Sequence, residues 1–178
     1  MSADGAVTTD GAVTADEAVR ERQRPLRSVL GRFATGVAVV TTVRRGRPAG
    51  LTVNSFTSLS LDPPLVLWCL NRASNHRAAF TAAPHFAVHL LAADQRELAA
   101  RFAGPGDRFE RLATRPGPYG VPLLDGTIGT LICRRDRIVP AGDHLVLIGE
   151  VLDHHAEPGA PLLFLDGRFH RGPDPETT

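Results

Sequence analysis

Ala49-Gly50-Leu51-Thr52-Val53-Asn54-Ser55-Phe56-Thr57-Ser58-Leu59-Ser60-Leu61-Asp62-Pro63-Pro64-Leu65-Val66-Leu67 sets small and hydroxylated residues between two apolar strands and closes on a double proline. Hydroxyls and amides at this density need partners wherever they are buried. They either line a loop or face a polar ligand. Gly50 lets the backbone bend or approach a neighbour closely. Asn54 and Ser55 can cap, turn the chain, or hydrogen-bond the edge of a heterocycle.

Working outward, residues 37–43 are β-branched and apolar on both faces and predict a strand. Arg44-Arg45-Gly46-Arg47-Pro48 reads as a hairpin turn, after which the central stretch returns antiparallel. Residues 65–70 predict a third strand, and 71–75 a polar loop in which Ser74 is placed to N-cap a short helix over 76–82. Residues 85–91 predict another strand. Asp94-Gln95-Arg96-Glu97 has capping-box spacing, with Leu98 and Phe102 on the inner face of the helix that follows. Residues 103–119 are rich in Gly and Pro and irregular, anchored by Phe109 and Leu112. Two long strands over 127–139 and 144–154 flank Pro140-Ala141-Gly142-Asp143, and residues 162–165 and 168–170 form a last short hairpin. Upstream, Pro25 opens a helix at its first position; Leu26, Val29, Leu30 and Phe33 define one buried face and Gly36 ends it.

The chain therefore divides into an N-terminal tail (1–24), expected to be disordered or loosely attached because Met1 to about Glu21 offers no large apolar anchor, one domain (25–171), and a polar C-terminal tail (172–178). Many short strands with helices inserted rather than alternating argue against a parallel dinucleotide fold. They favour a mainly β, closed or nearly closed antiparallel barrel, which protects its edges.

Composition bounds the function. The 178 residues suffice for one core, and a net charge of +1 makes no electrostatic case for nucleic acid or an anionic membrane surface. The arginines at 20, 22, 24, 27 and 32 read as a solvated helix face. Cys69 and Cys133 sit apart in apolar strands and read as reduced thiols. No apolar run reaches the roughly 20 residues of a membrane helix, and no basic-then-apolar leader is present, so the cytoplasm is the expected address. There is no GxGxxG after a strand, no GxxxxGK[ST], no HExxH and no GxSxG. Any nicotinamide cofactor would lie outside a Rossmann crevice. His154-His155 point to opposite faces of a strand and find no third ligand, so no metal site is expected.

Gly36-Val37-Ala38-Val39-Val40-Thr41-Thr42, then Gly50 to Phe56, then Ser60-Leu61-Asp62-Pro63-Pro64-Leu65-Val66 resemble, in that order, the short-chain flavin reductases. Gly142-Asp143-His144, Gly149-Glu150-Val151, Leu162-Leu163-Phe164 and Gly167-Arg168-Phe169 extend the resemblance over residues 26–170. The resemblance implies an antiparallel flavin-binding split β-barrel, homodimeric, with flavin near the dimer interface. It implies hydride transfer from NADH (or NADPH) to FAD (or FMN), and delivery of reduced flavin to a separate flavin-dependent monooxygenase. Thr52, Val53, Asn54 and Ser55 would run along the isoalloxazine ring. Cys69, Leu70, Asn71 and Ser74 would continue the site toward the flavin phosphate, with Arg72 or Arg77 adding charge. Phe102 either fills the core or touches the flavin side chain. His144 is the candidate catalytic residue, placed to position the nicotinamide, and Gly167, Arg168, Phe169 and His170 would close over nicotinamide or adenine. The family often has Tyr where Phe169 stands, so no hydroxyl acts there. Two other readings are a flavin-retaining oxidase of a small organic substrate and a flavin-binding protein without nicotinamide activity; Gly142-Asp143-His144 favours the reductase over both.

Overall fold

The structure is a computed structural model, and it describes residues 15–175. In chain order its elements are α1 (Ala15–Leu30), β1 (Thr35–Gly36), β2 (Ala38–Arg44), β3 (Arg47–Val53), β4 (Thr57–Leu61), β5 (Pro64–Asn71), α2 (Arg77–Ala82), β6 (His85–Leu90), α3 (Arg96–Ala103), β7 (Arg115–Pro116), β8 (Pro122–Leu123), β9 (Gly129–Ala141), β10 (His144–Ala156), β11 (Leu162–Leu165) and β12 (Arg168–Arg171). A seven-stranded sheet of order β3-β2-β6-β9-β10-β5-β4 carries the core, every ladder antiparallel. β1-β11-β12 and β7-β8 form two small sheets.

The two edge strands of the large sheet, β3 and β4, are consecutive in sequence and are joined only by residues 54–56. The step from Val53 to Thr57 can span at most about 14 Å, so the sheet must curl until its edges approach there. Among the described residues no ladder joins those edges. The sheet is open, with a seam at Asn54-Ser55-Phe56.

Strand alternation sorts the core into two layers. Trp68 and Leu70 (β5), Val40 (β2), Phe86 and Val88 (β6), Cys133 (β9) and Leu147 (β10) fill the concave face. Phe80 of α2 plugs it, its ring edge-on to Trp68 at 5.0 Å. On the opposite face of β2, Val37 and Val39 pack with Leu91 and with Ala99 and Phe102 of α3. The β2–β3 hairpin turns through Arg45 and Gly46, both at positive φ (51° and 73°), which suits the right-handed twist of its strands.

Several local expectations fail for physical reasons. α1 begins at Ala15, and Pro25 lies inside it; Ala, Glu, Arg and Gln before Pro25 are good helix formers, and the missing N–H orphans one carbonyl on an exposed helix. The predicted tail thus loses residues 15–24 to the helix, and its residues 1–14 lie outside the described ones. The helix ends at Leu30, where Gly31 N–H donates to the Arg27 carbonyl, and Gly36 belongs to β1. The face predicted to be buried is uncovered: Leu26, Val29, Leu30 and Phe33 are 61, 69, 62 and 76 % exposed. Neither predicted cap forms as such. α2 starts after His76 and α3 after Gln95, each without a side-chain cap. Ser74 Oγ instead accepts the His76 N–H at 3.2 Å, and Gln95 Oε1 accepts the Ala92 N–H at 3.0 Å.

Candidate functional site

The seam residues divide by what their side chains already do. Thr52 Oγ1 donates to the Ala99 carbonyl at 2.7 Å and ties β3 to α3. Ser55 Oγ accepts the Cys69 N–H at 3.0 Å, stapling the seam to β5. Val53 is buried at 6 % exposure. Asn54 is exposed and makes no side-chain hydrogen bond among the described residues. The segment therefore offers a ligand the Asn54 amide and the backbone edge, rather than a row of hydroxyls.

β5 supplies the facing wall. Cys69, half-buried and unpaired with Cys133, sits beside Ser55. Two residues on, Asn71 Oδ1 accepts the Ala73 N–H at 2.8 Å, which leaves its two amide N–H groups to donate. Asn71 stands directly opposite His144 at the end of the β5–β10 ladder. Direct antiparallel partners share a face with Cβ atoms about 4.5–5.5 Å apart, so Asn71 and His144 form one polar corner about 7 Å along β5 from Cys69.

Asp143 lines up that corner. Its Oδ1 lies 2.8 Å from His144 Nδ1, and this hydrogen bond, with the imidazole's charge when protonated, holds the fully exposed Asp143 carboxyl below the usual range. An ionised Asp143 only accepts, so Nδ1 carries the proton and neutral His144 presents Nε2 as an acceptor.

Two predicted site residues are not available to a ligand in the chain. Phe102 is completely buried, its ring edge-on to Phe109 at 5.1 Å, and fills the core under α3. Gly50 exists for that packing: a Cβ there would lie 2.6 Å from Phe102 Cε1. The Leu70 side chain is also fully buried, on the concave face, because alternation along β5 turns it away from Cys69 and Asn71. Arg168, Phe169 and His170 belong to β12 of the three-stranded sheet and Gly167 to the turn before it, whereas His144 opens β10 of the large sheet. Asp166 N–H donates to the Gly31 carbonyl, and Arg96 of α3 stands 6.0 Å from the Phe169 ring centroid. Arg168 and His170 are exposed, and Phe169 packs on Phe164.

Two residues carried no motif in the sequence. Arg108 donates from Nη1 to the Gly50 carbonyl at 2.7 Å and from Nε and Nη2 to the Gly104 carbonyl, pinning the 104–110 loop to β3. His76 lies nearby, its pKa lowered by burial and then by the Arg108 charge. Elsewhere, Thr41 Oγ1 donates to the Pro122 carbonyl at 2.7 Å and lies 3.1 Å from His89 Nε2. Nε2 must then carry the proton, and buried Nδ1 has no partner. Burial lowers the His89 pKa to about 4, with the Arg115 charge assisting and the Pro122 carbonyl opposing.

A flavin ring needs an apolar slot with donors and acceptors at its carbonyl and imide edge, and the free Asn54 amide, the Asn71 N–H groups and the seam backbone fit that need. The described residues hold no group of three or more His, Cys, Asp or Glu that could hold a metal. No helix among them is long and apolar enough to cross a membrane.

Residues 30–173 match the flavin reductase like domain, and the chain belongs to that family. It is 47 % identical over 151 residues to the NADH-dependent FMN reductase SmoA of Agrobacterium fabrum, covering 85 % of this chain and 87 % of that one. It is 38 % identical to HsaB, the reductase subunit of a flavin-dependent monooxygenase of Mycobacterium tuberculosis, covering 87 % and 84 %. Among solved structures, the NADH:FAD oxidoreductase SgcE6 of Streptomyces globisporus, in complex with NAD and FAD fragments, superposes with a TM-score of 0.80 at 40 % identity, covering 85 % and 93 %. The chain spans about half (52 %) of a longer solved relative from Sinorhizobium meliloti.

Proposed function

We propose that the protein is an NAD(P)H-dependent flavin reductase, with NADH as donor, that supplies reduced flavin to a separate flavin-dependent monooxygenase. The observation that carries this reading is the corner formed by Asn71 and His144, beside a seam stapled by Ser55, in a chain of the flavin reductase family. Bound together, a reduced nicotinamide would supply a hydride and a flavin ring would accept it, a reaction that requires the reacting atoms to be brought to about 3–3.5 Å. The chain's own contribution is positioning. Asn54 and the seam backbone hold the ring edge, Cys69 and Asn71 form its wall, and Ser74 and Arg72 lie on the side toward the phosphate. His144 Nε2, kept an acceptor by Asp143, takes a hydrogen bond from the nicotinamide carboxamide and fixes its face.

Within this reading the fold is a split barrel, and the molecule is a homodimer. A second copy covers Leu26, Val29, Leu30 and Phe33 of α1, together with exposed Leu59 and Leu61 on β4. The end of α1 is tied to the β11–β12 turn through Gly31 and Asp166. A partner seated there would lie beside that turn and the Gly167–His170 segment that follows it.

The test is the loss of reduced-nicotinamide absorbance with purified protein, with and without FAD, FMN or riboflavin. Turnover that depends on added flavin supports a reductase with diffusible flavin. A protein that binds flavin but oxidises neither NADH nor NADPH with any of them overturns the reading.

A further inference from the structure

Arg44 and Arg47 stand directly opposite each other as the last pair of the β2–β3 hairpin, with Arg45 in the turn between them. Like charges directly opposite on a ladder destabilise it. Among the described residues no carboxylate lies within ion-pairing distance of any of the three. The whole chain carries a net charge of only +1, so this hairpin tip is a local excess of positive charge. A local conflict kept without compensation marks a place where something other than folding sets the residue type.

A second conflict lies beside the first. Tyr119 sits at φ 58°, ψ 16°, a left-handed conformation that is unusual for a bulky side chain. Its ring stacks flat on His85, with centroids 3.8 Å apart and planes 5° apart, yet the residue stays 59 % exposed. The stack borders the hairpin. The His85 carbonyl accepts the Thr42 hydroxyl at 2.7 Å, and a Cβ on Gly120 would lie 3.8 Å from Val43 Cγ1. Backbone strain that displays an aromatic ring instead of burying it points to recognition. Arg and Tyr are also the side chains that interfaces favour over the rest of a protein surface.

We propose that Arg44, Arg45, Arg47 and Tyr119 form a docking surface for an acidic face of the monooxygenase that receives the reduced flavin. The arginines take its carboxylates by charge-assisted hydrogen bonds, and Tyr119, held by His85, is the rigid aromatic anchor. The identity of the partner rests on the reductase reading. From Arg47, β3 runs about 20 Å to the seam that this reading gives to the flavin ring. Reduced flavin free in solvent passes two electrons and two protons to dioxygen, giving oxidised flavin and hydrogen peroxide; a receiver docked nearby shortens that exposure. Three arginines in one turn beside a single ring suit a compact acidic patch on a protein, whereas a nucleic acid is met by a longer basic stripe and a membrane by a basic amphipathic helix. The surface shares no residue with the α1 and β4 face given to a second copy.

Tyr119 is the only tyrosine of the chain, so the full chain made with isotope-labelled tyrosine reports on this surface through one ring in NMR spectra. It is titrated with a polyglutamate peptide, which stands in for the acidic face. A saturable displacement of the Tyr119 resonance is expected, with affinity falling as salt rises. Arg44→Gln/Arg45→Gln should weaken binding by about tenfold and melt no lower than wild type, since it removes the like-charge conflict. Arg22→Gln/Arg32→Gln, which removes the same charge elsewhere, should change binding by less than about twofold. A Tyr119 resonance that polyglutamate leaves in place overturns the proposal. So does equal weakening by both double variants, or a Tm lowered by more than about 2 °C in Arg44→Gln/Arg45→Gln. Tighter binding at Tyr119 by a DNA oligonucleotide or by phosphatidylserine vesicles, at equal charge, overturns it in favour of another class of partner. NADH turnover with riboflavin is scored on the same samples. Turnover absent with docking intact refutes the reductase reading and removes the monooxygenase as the partner; docking absent with turnover intact refutes the surface.

Discussion

Gly50→Ala is a small change with a specific structural consequence. The added Cβ would sit 2.6 Å from Phe102 Cε1, 2.9 Å from Phe102 Cδ1 and 3.2 Å from Phe109 Cζ. Carbon atoms pack best at about 3.5–4.0 Å, so the Phe102 ring must retreat by about 0.9 Å. It has nowhere to go: it is fully buried and edge-on to Phe109. The strain must pass into α3 or β3, which Thr52 Oγ1 bonds together at the Ala99 carbonyl. Overpacking of this kind costs about 1–3 kcal/mol, which for a chain of this size lowers Tm by about 2–12 °C. Because the displaced strand carries the seam, the flavin KM should rise with it. Gly36→Ala is the control: nothing lies within 4 Å of its Cβ position, and the expected change is within about 0.5 kcal/mol. Calorimetric melting of both variants, with flavin KM values, checks the argument. A Gly50→Ala protein that melts within about 1 °C of wild type with an unchanged KM would refute it.

Three further outcomes are expected. His144→Ala should lower kcat/KM for NADH by about tenfold, the effect of one hydrogen bond lost from the reacting complex, while Tm stays put because the side chain is 40 % exposed; unchanged steady-state kinetics would remove His144 from the mechanism. His89 has a folded pKa of about 4 against an ordinary 6.5, so between those values the unfolded chain binds more protons and stability falls as pH falls. The loss is about 3 kcal/mol from pH 6.5 down to 4, and denaturant titrations across that window should find the slope reduced in His89→Gln. Leu30→Glu/Phe33→Glu, on a face exposed in one chain, should shift the protein from dimer to monomer in sedimentation; a dimer of wild-type strength would mean that another surface joins the copies.

Legibility followed the range of the interactions. The β2–β3, β9–β10 and β11–β12 hairpins were readable because alternation and turn chemistry are local. Phe109 and Leu112 were readable as loop anchors for the same reason, and they pack on Phe102 and its neighbours. β4 was hidden because Thr57-Ser58-Leu59-Ser60-Leu61 is an edge strand with hardly a buried side chain, and its polarity reads as loop. On α1, spacing identifies which side chains share a face, but a pattern in one chain does not say which surface covers that face. What the candidate side chains are already bonded to was not legible. The hydroxyls of Thr52 and Ser55 are engaged with backbone groups 47 and 14 residues away, pairings that no local pattern encodes. Arg108 was missed for a related reason: its targets, the carbonyls of Gly50 and Gly104, are invisible in a sequence. The opposed Arg44 and Arg47 were legible once the hairpin was recognised, since the turn length fixes their register.

The seam carries a consequence for how the molecule assembles in time. The hairpins β2–β3 and β4–β5 can form early from neighbouring residues. Their edges meet at Asn54-Ser55-Phe56 only after the β2–β6, β6–β9, β9–β10 and β10–β5 ladders are all in place. Non-local pairings of this sort are slow steps in folding, so the loop proposed to meet the flavin acquires its shape last. Flavin binding is then a reporter of the finished chain and not of any fragment, and a ligand that recognises only the native form stabilises it by mass action, by about 2.7 kcal/mol at a hundredfold excess over Kd. Cells short of flavin would hold less of the protein in its native form, and the supply of the reductase would track the supply of the molecule it reduces.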